Sequence, residues 1–125
     1  MAVLLVAVVD DEESIRKALG RLLRASGLAA DCYPSGQAFL DAVDATRPDC
    51  LVLDLHMPGM TGLQVLERLR LRHPSLPIVV ITGHDEPENQ VRCLAAGAAA
   101  YLRKPLDANT LLQTINEACA ASVRP

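Results

Sequence analysis

Residues 50–54, Cys50-Leu51-Val52-Leu53-Asp54, set four apolar residues in a row and then a carboxylate. A short run without polar alternation suits a strand covered on both faces, as in a parallel sheet. An unpaired Asp54 in such a strand would be costly to bury. Four more runs of this kind lie at residues 3–9, 28–32, 78–81 and 98–102. Those at 28–32 and 98–102 are Ala-rich, so their reading as strands leans on position and spacing more than on propensity.

Helical periods fill the gaps. Ile15, Ala18, Leu19, Leu22 and Leu23 share one face, with Arg16, Lys17, Arg21 and Arg24 expected on the other, and Gly27 ends the helix. Ser35 can cap a second helix running to about Ala45. A third carries Leu63, Leu66 and Leu69 and stops before His73-Pro74, where His73 reads as a surface cap. Asp85 and Glu88 make a capping box for a fourth, which ends at Gly97. A fifth, from Asp107 to about Ala121, presents Leu111, Leu112, Ile115, Ala118 and Cys119. The pattern predicts (βα)5: an α/β three-layer sandwich built on one open parallel sheet through right-handed crossovers. One domain is expected over residues 1–121, with 122–125 as a tail or the start of a linker.

Composition narrows the function classes. The 125 residues are 50% hydrophobic and 22% charged, with net charge −3. That balance gives no general attraction to nucleic acid. Tyr33, Phe39 and Tyr101 are the only aromatics, too few for a single-strand stacking platform. Cys32, Cys50, Cys93 and Cys119 lie apart in apolar stretches, which argues against a zinc site or disulfide framework and for buried thiols in a reducing cytoplasm. The apolar opening is too short to span a bilayer and reads as a buried strand.

In open parallel sheets, functional residues gather at the carboxyl ends of the strands. Asp10 and Asp11 follow the first strand, Asp54 ends the third, Thr82 the fourth and Lys104 the fifth. These are the groups needed to move a phosphoryl group onto a carboxylate. Asp11 and Asp54 offer hard oxygen ligands for Mg2+, and Asp10 can orient its water shell. Asp54 is the nucleophile, Lys104 offsets charge on the phosphoryl oxygens, and the Thr82 hydroxyl can donate to them. Alone, Asp10 and Asp11 would read as a helix start. Thr82 or Lys104 alone would say nothing. Their joint occurrence at four strand ends carries the reading.

VVDDEESIRKAL at 8–19, LVLDLHMPGMTGLQVLERLR at 51–70, PIVVITGH at 77–84 and GAAAYLRKPL at 97–106 together resemble the receiver domain of bacterial response regulators over nearly the whole chain. The resemblance implies a flavodoxin-like (CheY-like) fold with strand order 2-1-3-4-5. It also implies that Asp54 takes phosphate from a sensor histidine kinase, or slowly from acetyl phosphate. Further implications are a metal site of Asp11, Asp54 and the backbone carbonyl of His56, with Asp10 acting through water, a switch pair of Thr82 and Tyr101, and a cis bond between Lys104 and Pro105. His56 and His84 fall where family members vary and are expected to face solvent. MPGMTG, ITGH and the Lys-Pro-Leu turn are most similar to the FixJ-like branch, whose receivers usually precede a DNA-binding output domain.

A kinase is expected to dock at Ser14, Ile15, Pro105 and Leu106, which rim the acceptor, and a phosphorylation-linked homodimer to form through the fourth and fifth elements. Two other classes compete. A phosphate-independent binding module would usually have lost an acid or the lysine, and all five residues are present. A carboxylate-nucleophile hydrolase would usually carry a second Asp where His56 stands. The expected role is therefore that of a regulator, not a turnover enzyme.

Overall fold

The computed structural model describes residues 3–84 and 86–123, with side chains described to residue 121. Five strands alternate with five helices: β1 Leu5–Val9, α1 Glu13–Ala25, β2 Ala29–Tyr33, α2 Gly36–Thr46, β3 Cys50–Asp54, α3 Gly62–Arg72, β4 Ile78–Thr82, α4 Pro87–Ala95, β5 Ala100–Arg103 and α5 Ala108–Val123. All pairings are parallel and the sheet order is β2-β1-β3-β4-β5, as expected.

The strand periodicity of two divides the core into halves. Ala7, Val9, Leu51, Leu53, Ile78 and Val80 point to one face, where Phe39, Leu40 and Val43 of α2, Val65, Leu66 and Leu69 of α3 and Cys93 of α4 cover them. Val6, Val8, Cys50, Val52, Val79 and Ile81 point to the other, beneath Leu19 and Leu23 of α1 and Leu111, Ile115, Ala118 and Cys119 of α5. Every residue of β3 and β4 is buried, which is why their sequences run apolar without a break. The edge strands β2 and β5 are mostly half-buried and carry the Ala-rich, weaker patterns.

Helix boundaries follow local chemistry. Gly27 ends α1 with φ +84°, the left-handed conformation that glycine takes at no steric cost. Ser35 caps α2 through a bond from the Ala38 amide to its hydroxyl. Thr61 and Gln64 form a full capping box at the start of α3, a signal carried by the local sequence.

Several boundaries move. Val3 is exposed and β1 starts at Leu5. β2 runs one residue later than expected, and β5 starts at Ala100, after a turn at Ala96-Gly97 that the Ala98 amide closes onto the Cys93 carbonyl. α4 begins at Pro87, with Glu86 as its N-cap, and ends at Ala95 rather than Gly97. The capping box expected of Asp85 with Glu88 involves a residue outside those described. α5 runs to Val123, two residues past the expected helix end, and residues 124–125 lie outside those described. Among the described residues, no helix is long and apolar enough to cross a membrane.

Candidate functional site

The parallel register brings the ends of β1, β3, β4 and β5 to one edge. Val9 pairs with Leu53, Asp54 with Ile81, and Thr82 with Arg103, so Asp10, Asp54, Thr82 and Lys104 finish neighbouring strands side by side. The Lys104 amide donates to the Thr82 carbonyl at 2.7 Å, which fixes the end of β5 against β4. The Lys104–Pro105 peptide bond is cis.

Asp10, Asp11 and Asp54 each offer a carboxylate oxygen within 4.8 Å of the others. Asp10 is fully buried and Asp54 is 3% exposed, whereas Asp11 faces solvent. The Lys104 ammonium reaches into this pocket, 2.9 Å from Asp10 Oδ2 and 3.3 Å from Asp54 Oδ1. Three carboxylates thus lie together with one ammonium paired to two of them, and the pocket is short of positive charge. Burial, and next the charge of Asp10, push the Asp54 carboxyl up to about 6, and Lys104 only partly offsets them. For Lys104, burial acts to lower the pKa, but the Asp10 hydrogen bond and the Asp54 charge outweigh it, so the net shift is upward.

Two residues join the site that the sequence reading passed over. Glu12 Oε1 lies 3.8 Å from Lys104 Nζ, and the Glu12 amide donates to Asp10 Oδ1 at 2.9 Å. Arg16, expected on the outer face of α1, instead turns back so that its Nη1 donates to the Asp10 carbonyl at 2.8 Å. Arg24 does likewise to the Ala30 carbonyl. The cations of α1 therefore serve strand ends as well as solvent.

The Thr82 hydroxyl is buried and committed to the backbone of His84: it accepts from the His84 amide at 3.1 Å and donates to the His84 carbonyl at 3.2 Å. His56 and His84 are both exposed, as expected, and their rings meet edge to face with centroids 4.4 Å apart. Tyr101, paired with Val80 across β4 and β5, is half-buried against the core under α2–α4, with its hydroxyl oxygen out of reach of solvent. Ile15, Pro105 and Leu106 line one apolar groove of about 260 Å3 beside Lys104, together with Ala18, Leu19 and Leu22. Ser14 is exposed and does not line it. His73 ends α3 as expected, with a partner the sequence did not suggest: its Nε2 lies 2.7 Å from Asp44 Oδ1 on α2.

Comparison with known proteins agrees with this geometry. The family described as response regulator receiver domain matches residues 6–116. The chain is similar to the DNA-binding transcriptional regulator NtrC of Klebsiella pneumoniae, 39% identical over 111 residues, covering 89% of this chain and 24% of that protein. It is also similar to the transcriptional regulatory protein FixJ of Azorhizobium caulinodans, 36% identical over 117 residues, covering 94% and 56%. It thus spans about a quarter to a half of the length of these curated relatives. Among solved structures, FixJ-N superposes with TM-score 0.90 at 34% identity over the whole of both chains. A CheY-like receiver domain from Methanospirillum hungatei JF-1 superposes with TM-score 0.92 at 26% identity over 97% of both. The resemblance read from the four motifs, the FixJ-like branch included, therefore holds, and the chain belongs to the response regulator receiver domain family of two-component signalling.

Proposed function

We propose that this receiver takes a phosphoryl group onto Asp54, from the phosphohistidine of a sensor histidine kinase or from acetyl phosphate, in a step that depends on Mg2+. The observation that carries the proposal is the charge deficit of the pocket: two buried acids share one ammonium, and Asp11 adds a third carboxylate at the rim. Such a donor set, all oxygen and net negative, fits a hard divalent cation. Asp11, Asp54 and the His56 carbonyl would hold it, with Asp10 acting through water. When bound, Mg2+ supplies charge neutralisation for the carboxylates and the incoming phosphoryl oxygens.

An Asp54 carboxylate oxygen attacks phosphorus, the bond from phosphorus to the donor breaks, and its electron pair leaves with the donor's imidazole nitrogen or acetate oxygen. The Lys104 ammonium, already 3.3 Å from Asp54 Oδ1, is within reach of a phosphoryl oxygen attached there. The Thr82 hydroxyl can donate to the same group only by giving up its donation to the His84 carbonyl, so its reorientation removes one of the two bonds that hold the β4–α4 loop at His84. Tyr101 then follows, and the surface of α4, β5 and α5 changes. In this reading the domain is a cytoplasmic switch that catalyses its own phosphorylation and dephosphorylation. Its surface controls a transcriptional output domain outside these residues, directly or through a phosphorylation-dependent homodimer, while the receiver itself touches neither nucleic acid nor membrane.

The kinase docks over the groove of Ile15, Pro105 and Leu106, with Ser14 at its edge. Ile15→Ala and Leu106→Ala should slow transfer from the kinase several-fold and leave labelling by acetyl phosphate unchanged. Equal loss with both donors would count against this docking site.

Intact mass after incubation with acetyl phosphate tests the acceptor. Wild type should gain one phosphoryl group with Mg2+ and none with chelator, and Asp54→Asn should gain none. Undiminished labelling of Asp54→Asn would overturn the assignment. Absence of both labelling and Mg2+ binding in folded wild type would favour a phosphate-independent binding module.

A further inference from the structure

We propose that Cys50 and Cys119 form an oxidisable pair that closes an intramolecular disulfide between β3 and α5 when the protein meets a hydroperoxide. The two residues are 69 positions apart in sequence, yet the sheet face shared by α1 and α5 brings their side chains into one cluster. The Cys119 thiol donates to the carbonyl of Asp49, the residue preceding Cys50, at 3.7 Å, and the Cys50 thiol to the carbonyl of Leu51, the residue after it, at 3.9 Å. Cys50 is fully buried at the start of a rigid central strand, and Cys119 is 6% exposed in the last turns of α5.

The other thiols are placed differently. Cys93 lies on the opposite face of the sheet under α4. Cys32 is on β2, separated from β3 by the whole width of β1, and donates to the Arg16 carbonyl. Two strand spacings, roughly 9–10 Å, are too far for a bridge from Cys32 to Cys50.

The asymmetry of the pair assigns the order of events. Cys119 is the more accessible of the two at 6% exposure, whereas Cys50 shows no surface at all. Cys119 is therefore the sulfur that attacks. It bonds to one peroxide oxygen, the O–O bond breaks, and the released hydroxide takes the thiol proton to leave as water. Cys119 is now a sulfenic acid. Cys50 sulfur then attacks Cys119 sulfur, the S–O bond breaks, and the hydroxyl leaves as water with the Cys50 proton. Two thiols are oxidised by two electrons in total, and one hydrogen peroxide is reduced to two waters. A water-sized oxidant suits a residue that is only 6% exposed.

The test needs no phosphodonor, so its failure and a failure of the Asp54 reading are separable. Reduced protein is exposed to hydrogen peroxide, denatured, alkylated and mapped by mass spectrometry. The expected product has lost two hydrogens, takes alkyl groups on Cys32 and Cys93 only, and yields one peptide linking Cys50 to Cys119. Cys32→Ser/Cys93→Ala should still form the link, and Cys119→Ala should not. Alkylation of all four cysteines after exposure, a bridge that includes Cys32, or a sulfinic acid on Cys119 without a link would each overturn the proposal.

Discussion

Asp44 and Asp54 both sit beside cations, at opposite ends of the molecule, and their pKa values move in opposite directions. Asp44 projects from α2 near the amino ends of β3 and β4, with a 64% exposed side chain 2.7 Å from both Arg72 and His73. The His73 hydrogen bond, and the Arg72 charge after it, hold its carboxyl below the usual range. Asp54, at the carboxyl edge, has Lys104 at 3.3 Å and is nevertheless pushed up to about 6, because burial and Asp10 outweigh that one ammonium. A partner in solvent costs little to accept, whereas a carboxylate taken out of water needs more positive charge than the chain provides. The exposed end is electrostatically settled. The carboxyl edge is held unsatisfied, which under the proposed function is the condition for recruiting a cation and a phosphoryl group.

The largest expected effect comes from disturbing the geometry that holds this edge. A Cβ on Gly62 would overlap the backbone oxygen of Asp54 and lie 2.7 Å from Leu55 Cα, and neither atom can move without shifting the end of β3. Gly62→Ala should lower stability by about 3 kcal/mol in urea denaturation, at the upper end of overpacking costs. It should also depress labelling at Asp54. A loss confined to stability would mean that the loop repacks without moving the acceptor.

Second comes the titration of Asp54 itself. An acid whose folded pKa is raised stabilises the fold only while protonated, so the penalty is absent below about pH 4 and grows as pH rises through about 6. At pH 7.5 it amounts to about 3 kcal/mol in the metal-free protein. Asp54→Asn should therefore be more stable than wild type at pH 7.5 in chelator, with the gap closing towards pH 4. A gap that does not vary with pH would show that the carboxylate is not the destabilising group. The smallest effect is expected at the other end: Asp44→Ala should leave the denaturation midpoint and the labelling rate unchanged, since its pairs lie at the solvent-exposed surface. A clear loss would show that the two ends are less different than their burial implies.

Much of this contrast was legible in the sequence because local signals carry it. Apolar runs marked the strands, and the acids, hydroxyl and ammonium at their ends marked the edge. The edge strands were misplaced by one or two residues because Ala-rich segments pack weakly and fix no clear register. Arg16 read as a solvent-facing residue of an amphipathic helix. Its bond to the Asp10 carbonyl depends on how tightly the β1–α1 turn folds, which periodicity does not encode. The Asp44–His73 and Cys50–Cys119 pairs join residues 29 and 69 positions apart, and only the assembled layers bring them together. The capping box of Thr61 with Gln64 was readable locally and was overlooked.

The central claim is that the carboxyl edge is destabilised by charges that a bound divalent cation relieves. Thermal denaturation of wild type and Asp54→Asn at pH 7.5, across a Mg2+ titration from chelator upward, tests it most directly. The account predicts that Asp54→Asn melts higher without metal, that Mg2+ raises the wild-type midpoint progressively, and that it moves the variant much less. Equal stabilisation of both proteins, or none of either, would contradict it.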